Sequence, residues 1–328
     1  MTQYGISFAL VNSIITAYAT AMDWLYALLS EIAPLYIIAI MGFAAGRIFT
    51  IDIKTVATLA IYFTAPVVVL ITASSMPFTP NLFVAIAMVL AMALILAFVL
   101  LKLSGPFVSE KTKQLIGLGV GTNNYGYFGL PIAFAVFNPE QIAAYIILGY
   151  GLYIYENTVG LYLISKGEKG WKQSLRTIAT FPGLYAAVIG VSLSGAGINL
   201  VPLTEPILAI FKGAFTFLGM AMIGIGLSQL DRVRIDPLYI GMMIATKFIF
   251  WPLSTLGLVW LDQTYLHWLN PLFHMPLILL SIMPMAANNI TFAAQFGNHP
   301  GKASMGVVAT TLISVIYIPV ALKLLGFV

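Results

Sequence analysis

Residues 119–131 read GVGTNNYGYFGLP, and they interrupt a long apolar run with four glycines, a proline and two adjacent asparagines. A continuous helix through so many glycines and a proline is costly, so the sequence predicts an unwound stretch. Residues 284–291 read PMAANNIT, where Pro284 removes one backbone donor and frees a carbonyl one turn earlier. The pairs Asn123–Asn124 and Asn288–Asn289 would be expensive in hydrocarbon without partners. Two polar helix breaks of this kind indicate a functional site.

The composition is that of an integral membrane protein. Among 328 residues, 60% are hydrophobic and 8% are charged, and the mean hydropathy is +0.98, far above that of an average globular protein. Cysteine is absent, which excludes disulfides and thiolate metal sites, and the three histidines lack ligand-like spacing. We therefore predict no metal, no cofactor and no enzymatic activity, because an intramembrane enzyme needs a nucleophile with a base or a metal. The net charge of +4 reflects basic residues that orient helices, so no nucleic-acid partner is predicted.

Apolar segments of spanning length follow one another along the chain. A bilayer core of about 30 Å needs roughly 20 helical residues. Division at charged and turn-forming breaks gives eleven segments, at residues 6–28, 31–49, 55–74, 81–101, 113–137, 141–164, 177–197, 204–229, 237–260, 272–296 and 302–325. Residues 19–21 read ATA and resemble a signal-peptide cleavage site, but no basic residue precedes the first segment. We therefore interpret residues 6–28 as an extra transmembrane helix before a core of ten.

Basic residues lie at alternate connections between these segments, as expected of cytoplasmic loops. Twelve of the fifteen follow this pattern: Arg47, Lys54, Lys102, Lys111, Lys113, Lys166, Lys169, Lys172, Arg176, Arg232, Arg234 and Lys302. The intervening connections have none. This distribution predicts a multi-pass protein with the carboxyl terminus outside. We expect the membrane to be a bacterial or archaeal plasma membrane.

The ten core segments divide into two sets of five, and an odd number per set makes the two halves face opposite ways. The predicted domains are an extra amino-terminal segment (1–30), a first repeat (31–165), a cytoplasmic linker (166–176) and a second, inverted repeat (177–328). In both repeats the asparagine pair falls in the fourth helix, and such matching breaks mark transporter binding sites. The predicted fold is therefore an all-α integral membrane protein whose broken fourth helices cross.

Crossed broken helices would present helix amino termini to a carboxylate, or unwound carbonyls to a cation. The predicted substrate-binding residues are Thr122, Asn123, Asn124, Tyr125, Asn288 and Asn289. The predicted helix-breaking residues are Gly121, Gly126, Gly129, Pro131 and Pro284. A second interpretation remains open, in which the amides only bond neighbouring helices together and the glycines allow close packing.

Glu156 and Lys247 are charged residues inside predicted spans, where a charge usually has a partner or a task. One interpretation is a structural ion pair between them. In the other, Glu156 takes up a proton or Lys247 attracts an anionic substrate. Neutralising both residues would restore the transport lost in either single variant only under the first interpretation.

The motifs NN at 123–124 with FGLP at 128–131, and MPMAANN at 283–289 with QFG at 295–297, resemble the auxin efflux carrier family of membrane transporters. The resemblance covers about residues 31–325. It implies a carrier of small organic anions, such as auxin in plants or malonate in bacteria. It also implies a fold similar to that of bile-acid and sodium/proton transporters, with core helices one, two, six and seven as a scaffold that often dimerises. We therefore expect a homodimer, although the extra leading helix departs from the family pattern.

Together these features predict a secondary carrier that works by alternating access and holds a small organic anion where the broken helices cross. Amide donors would bind a carboxylate without a permanent countercharge, so that the empty and loaded forms can both reorient. Coupling to H⁺ or Na⁺ is left open. The alternatives are a sodium/proton-type cation antiporter, with Glu156 as the exchanging acid, or a channel on the same architecture.

Overall fold

The structure is a computed structural model that describes residues 33–76, 81–165, 179–228 and 236–327. Within these ranges the chain is helical and contains no strand, which confirms the predicted all-α class. The helices are α1 (Ala33–Ile48), α2 (Ile53–Thr58, Leu59–Thr64 and Ala65–Ala73), α3 (Asn81–Ser104), α4a (Glu110–Val120), α4b (Tyr125–Val136), α5 (Pro139–Tyr155, Glu156–Gly160 and Leu161–Ile164), α6 (Pro182–Gly195), α7 (Val201–Ser228), α8 (Pro237–Leu266), α9a (Pro271–Ser281), α9b (Asn288–Gln295) and α10 (Pro300–Leu324). The extra segment at 6–28 and the linker at 166–176 lie outside the described residues.

Helix α8 runs past its predicted end at residue 260. The chain stays helical to Leu266 and turns at His267, whose backbone is left-handed (φ 50°, ψ 35°). Asp262, just beyond that predicted end, is buried, and its Oδ1 accepts hydrogen bonds from the backbone N–H groups of Trp268 (2.8 Å) and Leu269 (3.1 Å). The carboxylate therefore fixes the turn after the helix instead of ending it in solvent.

Length and composition allow five of the described helices to cross a membrane. They are Thr55–Ala73, Asn81–Ser104, Val201–Ser228, Pro237–Leu266 and Pro300–Leu324. Large apolar side chains on their outer faces are exposed, for example Phe83 (75%), Leu203 (77%) and Ile316 (74%). Apolar surface on this scale is compatible with an integral membrane protein, where lipid would cover it.

The helices pack in two groups. In the first group, α2 packs on α6 and α7, and α1 lies so close to α7 that a Cβ on Gly224 would overlap the Ala39 carbonyl. In the second group, α5 packs on α3, α4a and α9a, while α10 packs on α8 and α9b. The groups touch where α2 meets α5 and where α4b meets α7.

The connections between helices gather at two ends. At one end, Lys302 Nζ lies 2.7 Å from Asp236 Oδ2 and donates to Thr112 Oγ1 (2.8 Å), which joins the α9–α10, α7–α8 and α3–α4 connections. At the other end, Leu200 N donates to Ser74 Oγ (2.9 Å), which joins the α6–α7 and α2–α3 connections. The connections that meet at each end are ones that the distribution of basic residues predicts to lie on the same side of the membrane.

Candidate functional site

Helices α4 and α9 are both interrupted at the predicted positions, and their interruptions meet. The unwound residues 121–124 and 282–287 lie side by side and pair in antiparallel fashion around Asn123 and Met285. Asn124 N donates to Pro284 O (2.7 Å), and Ala286 N donates to Thr122 O (3.0 Å). Each break therefore supplies partners for backbone groups that the other break leaves unpaired.

The break in α9 follows from Pro284 and is completed by an amide from α4. Proline has no N–H, so the carbonyl of Leu280, four residues earlier, loses its helical donor. Asn123 Nδ2 donates to that carbonyl at 3.0 Å. The freed carbonyl that the sequence predicts is therefore present, and a side chain of the other broken helix satisfies it.

The predicted helix-breaking residues of α4 differ in what they do. Gly121 lies at the break itself, where a Cβ would overlap the Tyr155 ring. Gly126, Gly129 and Pro131 lie within α4b, after the interruption. Its first turn, Tyr125–Gly129, is a wider π-helical turn that precedes the proline. The loss of regular helix is thus concentrated at Gly121 and at the segment that follows it.

Lys247 of α8 is fully buried and is bound to the end of α4a. Its Nζ donates to Val120 O (3.0 Å), Thr122 O (3.2 Å) and Asn123 Oδ1 (2.5 Å). The carboxyl end of a helix carries partial negative charge, which a cation stabilises. Lys247 therefore compensates the carbonyls exposed by the break.

The predicted ion pair between Glu156 and Lys247 is not formed. Instead, the Glu156 carboxylate accepts a hydrogen bond from Asn288 Nδ2 at 2.8 Å, on the α9 side of the crossing. The ammonium has three nearer acceptors at the end of α4a. The similar predicted depths of Glu156 and Lys247 in the membrane suggested an ion pair, but the sequence does not show that carbonyls at the end of α4a compete for the ammonium.

Three of the predicted substrate-binding residues serve the crossing itself. Asn289 Nδ2 donates to Thr122 Oγ1 (2.7 Å) and to Ala286 O (2.8 Å), and Thr122 Oγ1 donates to Leu118 O (3.0 Å). Thr122, Asn123 and Asn289 are all buried. For these side chains the geometry matches the second interpretation, in which polar groups bond helices together.

A cavity of about 120 Å³ lies beside the crossing, between the two helix groups. Its polar lining consists of Asn123, Asn124, Asn288 and Glu156. Its aromatic lining consists of Tyr125, Tyr127, Tyr150, Tyr153, Phe181 and Phe215. Ala65 and Val69 of α2 complete the wall on the side of the first group. The structure thus brings both asparagine pairs and Glu156 to one place.

Two amides offer donors to this cavity. Asn124 Oδ1 accepts a hydrogen bond from Phe128 N (3.3 Å), and its Nδ2 has no partner among the described residues. Asn288 is exposed on the cavity surface, and its Nδ2 is engaged by Glu156, which is only 5% exposed. Tyr125 lines the same wall, and its backbone carbonyl is held by the Tyr145 hydroxyl at 3.2 Å. The cavity can therefore take a small molecule with hydrogen-bond acceptors and an apolar side.

Sequence reasoning missed several residues of the site. Trp251, one turn after Lys247, donates from Nε1 to Val120 O (2.7 Å), and Tyr155 donates to Gly117 O (2.6 Å). A signal was present, because Trp251 shares a helix face with the buried lysine. No sequence signal identifies Phe181 and Phe215 on the opposite wall of the cavity, because their positions depend on how the two helix groups pack.

Comparison with models of known protein families gives no match, and comparison with curated proteins gives none either. The likeness to auxin efflux carriers therefore stays a prediction from the motifs. The function is inferred from the crossing and its cavity.

Proposed function

We propose that the protein is a secondary transporter of the auxin efflux carrier type, which moves a small organic anion across a membrane by alternating access. The observation that carries this proposal is the cavity beside the two meeting helix breaks. Transporter sites are typically built from such discontinuous helices, whose free backbone groups and end charges hold the substrate. Five helices of spanning length and an outer surface of exposed apolar side chains support a place in the membrane.

The position of the cavity between two helix groups supports alternating access. One wall carries Asn124, Asn288 and Glu156, and the opposite wall carries Val69 and Phe215. A rigid movement of one group against the other would expose the cavity first at one end and then at the other. The collection of alternate connections at each end agrees with an inverted repeat of five helices in each half.

The donors favour a carboxylate as substrate. An amide NH₂ group binds carboxylate oxygens without adding a permanent charge. Asn124 also lies just before the first turn of α4b, where the partial positive charge of a helix amino terminus favours an anion. The volume of about 120 Å³ is well below that of sites for drug-sized ligands, about 300–1,000 Å³. A small acid with an apolar or planar part fits the aromatic wall.

Glu156 supports a second candidate, a cation antiporter. The cavity contains this carboxyl group, whereas the ammonium of Lys247 is bound behind the crossing. A buried acid can exchange a proton for a metal cation or an organic cation. The two candidates differ in the sign of the charge that the cavity accepts.

A binding screen followed by counterflow tests the proposal. Purified protein is screened by thermal shift against monocarboxylates, dicarboxylates and indole acids, and hits are assayed for uptake into proteoliposomes. We expect saturable uptake that internal unlabelled substrate accelerates, and loss of both binding and uptake in Asn124→Ala and Asn288→Ala. Asn199→Ala, which alters an exposed asparagine in the α6–α7 connection, is the matched control.

Each other outcome has a defined meaning. Proton flux driven by Na⁺ or K⁺ without any carboxylate would support the antiporter instead. Conductance without saturation or counterflow would indicate a channel. Binding that survives unchanged in both asparagine variants would place the site elsewhere and overturn the proposal.

A further inference from the structure

One N–H of an amide that the substrate needs is already bound to a carboxylate of the protein. Asn288 Nδ2 donates to Glu156 Oε1 at 2.8 Å, and Asn288 belongs to the cavity surface. A carboxylate bound to both amides would compete with Glu156 for this donor. Glu156 is therefore placed as an internal substitute for the substrate carboxylate.

Two carboxylates could not share this cavity while both are ionised. Like charges a few ångströms apart in a poorly hydrated site repel strongly, and one of the groups then keeps a proton. Here the cavity is small and most of its lining is apolar or aromatic. Occupancy by an anion therefore requires a positive charge or a proton at Glu156.

Among the described residues, Lys247 supplies the positive charge that acts on Glu156. Tyr125 and Tyr127 approach it from α4b, Tyr153 from its own helix and Lys247 from α8. Tyrosine is uncharged at neutral pH. The ammonium of Lys247 is bound by two carbonyls and an amide oxygen at the end of α4a. The charge of Lys247 balances one carboxylate, which in the absence of substrate is that of Glu156, so a second carboxylate in the cavity requires a proton on Glu156.

Resting on the proposed function, we propose that Glu156 makes the carrier a proton symporter by releasing Asn288 to the substrate and taking up a proton. In the empty form, the Glu156 carboxylate holds the Asn288 amide. Substrate carboxylate and one proton enter from the same side, the substrate takes the amide, and the proton forms the Glu156 carboxylic acid. Release on the other side reverses both steps and restores the hydrogen bond. No bond in the substrate is broken, and one proton accompanies each carboxylate.

Titration calorimetry in buffers of different ionisation enthalpy measures this proton directly, with a carboxylate identified by the thermal-shift screen as ligand. At a pH where Glu156 is ionised in the free protein but protonated in the complex, wild-type protein should take up about one proton per carboxylate, and its Kd should rise about tenfold per pH unit. Glu156→Gln should bind the same carboxylate without proton uptake and without this pH dependence. Glu140→Gln, at the exposed start of the same helix, should behave as wild type.

The outcomes separate this inference from the proposed function. If no carboxylate binds wild-type protein at any pH, the proposed function fails. If a carboxylate binds wild type without proton uptake, or if Glu156→Gln retains the uptake, the role of Glu156 is wrong and the carrier proposal stands. Should Glu156→Gln fail to fold, the wild-type measurement alone still decides, because zero uptake across the pH range overturns the inference.

Discussion

Substitution of the adjacent residues Asn123 and Asn124 should have different effects, on stability for the first and on ligand binding for the second. Asn123 bridges the crossing, because its Nδ2 donates to Leu280 O and its Oδ1 accepts from Lys247 Nζ. In Asn123→Ala the Leu280 carbonyl stays buried without a donor, since Pro284 cannot supply one. An unsatisfied buried group costs about 1–3 kcal/mol, and a lost hydrogen bond to a charged group costs about 1.5–3 kcal/mol. Lys247 keeps two other acceptors, so we expect a total destabilisation of roughly 3–5 kcal/mol.

Asn124 has a much smaller structural role. Its Oδ1 accepts one long hydrogen bond, 3.3 Å, from Phe128 N at the start of α4b. Loss of such a helix cap typically costs about 1 kcal/mol. Asn124→Ala should therefore leave the fold nearly intact but remove the free donor from the cavity, and with it carboxylate binding.

Thermal unfolding of purified protein, followed by tryptophan fluorescence, compares the two variants. Trp251, one of five tryptophans, bonds to Val120 O at the end of α4a, so part of the emission reports on the crossing. Asn123→Ala should unfold at a clearly lower temperature than wild type. Asn124→Ala should unfold close to wild type and should no longer be stabilised by a carboxylate ligand. An Asn123→Ala protein as stable as wild type would refute the assignment of this amide to the crossing.

Two further predictions concern packing and pH. Gly224→Ala should lower the unfolding temperature, because its Cβ would overlap the Ala39 carbonyl. Gly257→Ala, whose Cβ would have no atom within 4 Å, should instead stabilise α8 by up to about 1 kcal/mol. Equal unfolding temperatures for the two variants would contradict the close approach of α1 and α7. The hydrogen bond from Lys302 holds the pKa of the Asp236 carboxyl below its ordinary value. The stabilisation from the Asp236–Lys302 pair is therefore complete above about pH 4 and is lost as the pH falls through the lowered pKa of Asp236. In acid titrations of stability, Lys302→Met should not show this loss.

The sequence was sufficient to locate the helices and the breaks. Helix bounds follow from apolar length between charged connections, and the structure differs from them mainly at the end of α8, where Asp262 is buried. Both breaks were predictable because glycine and proline act locally on the backbone. These effects need no knowledge of the tertiary fold.

The different roles of the two asparagines in a pair could not be predicted from the sequence. Outside a regular helix, the direction of each side chain depends on the local backbone and on the partners that the tertiary fold supplies. Both asparagines line the cavity, but the Asn123 amide is held in the crossing by Leu280 O and Lys247, whereas the Nδ2 of Asn124 stays available to a ligand. The two residues look equivalent in the sequence. Likewise, the partner of Lys247 depends on where α4a ends relative to α8, which no spacing along the chain records.

The two buried charges, Lys247 and Glu156, lie on opposite sides of the crossing. Lys247 lies behind the crossing, where its ammonium offsets helix-end carbonyls. Under the proposed mechanism these bonds persist throughout the transport cycle, so the charge of Lys247 does not change. Glu156 sits in front, where its charge changes with occupancy under the proposed mechanism. A monocarboxylate bound beside protonated Glu156 leaves the cavity with the same charge as the empty form. Since one charge crossing a potential of 100 mV is worth about 2.3 kcal/mol, the proposed mechanism would let empty and loaded forms reorient without opposition from the membrane potential.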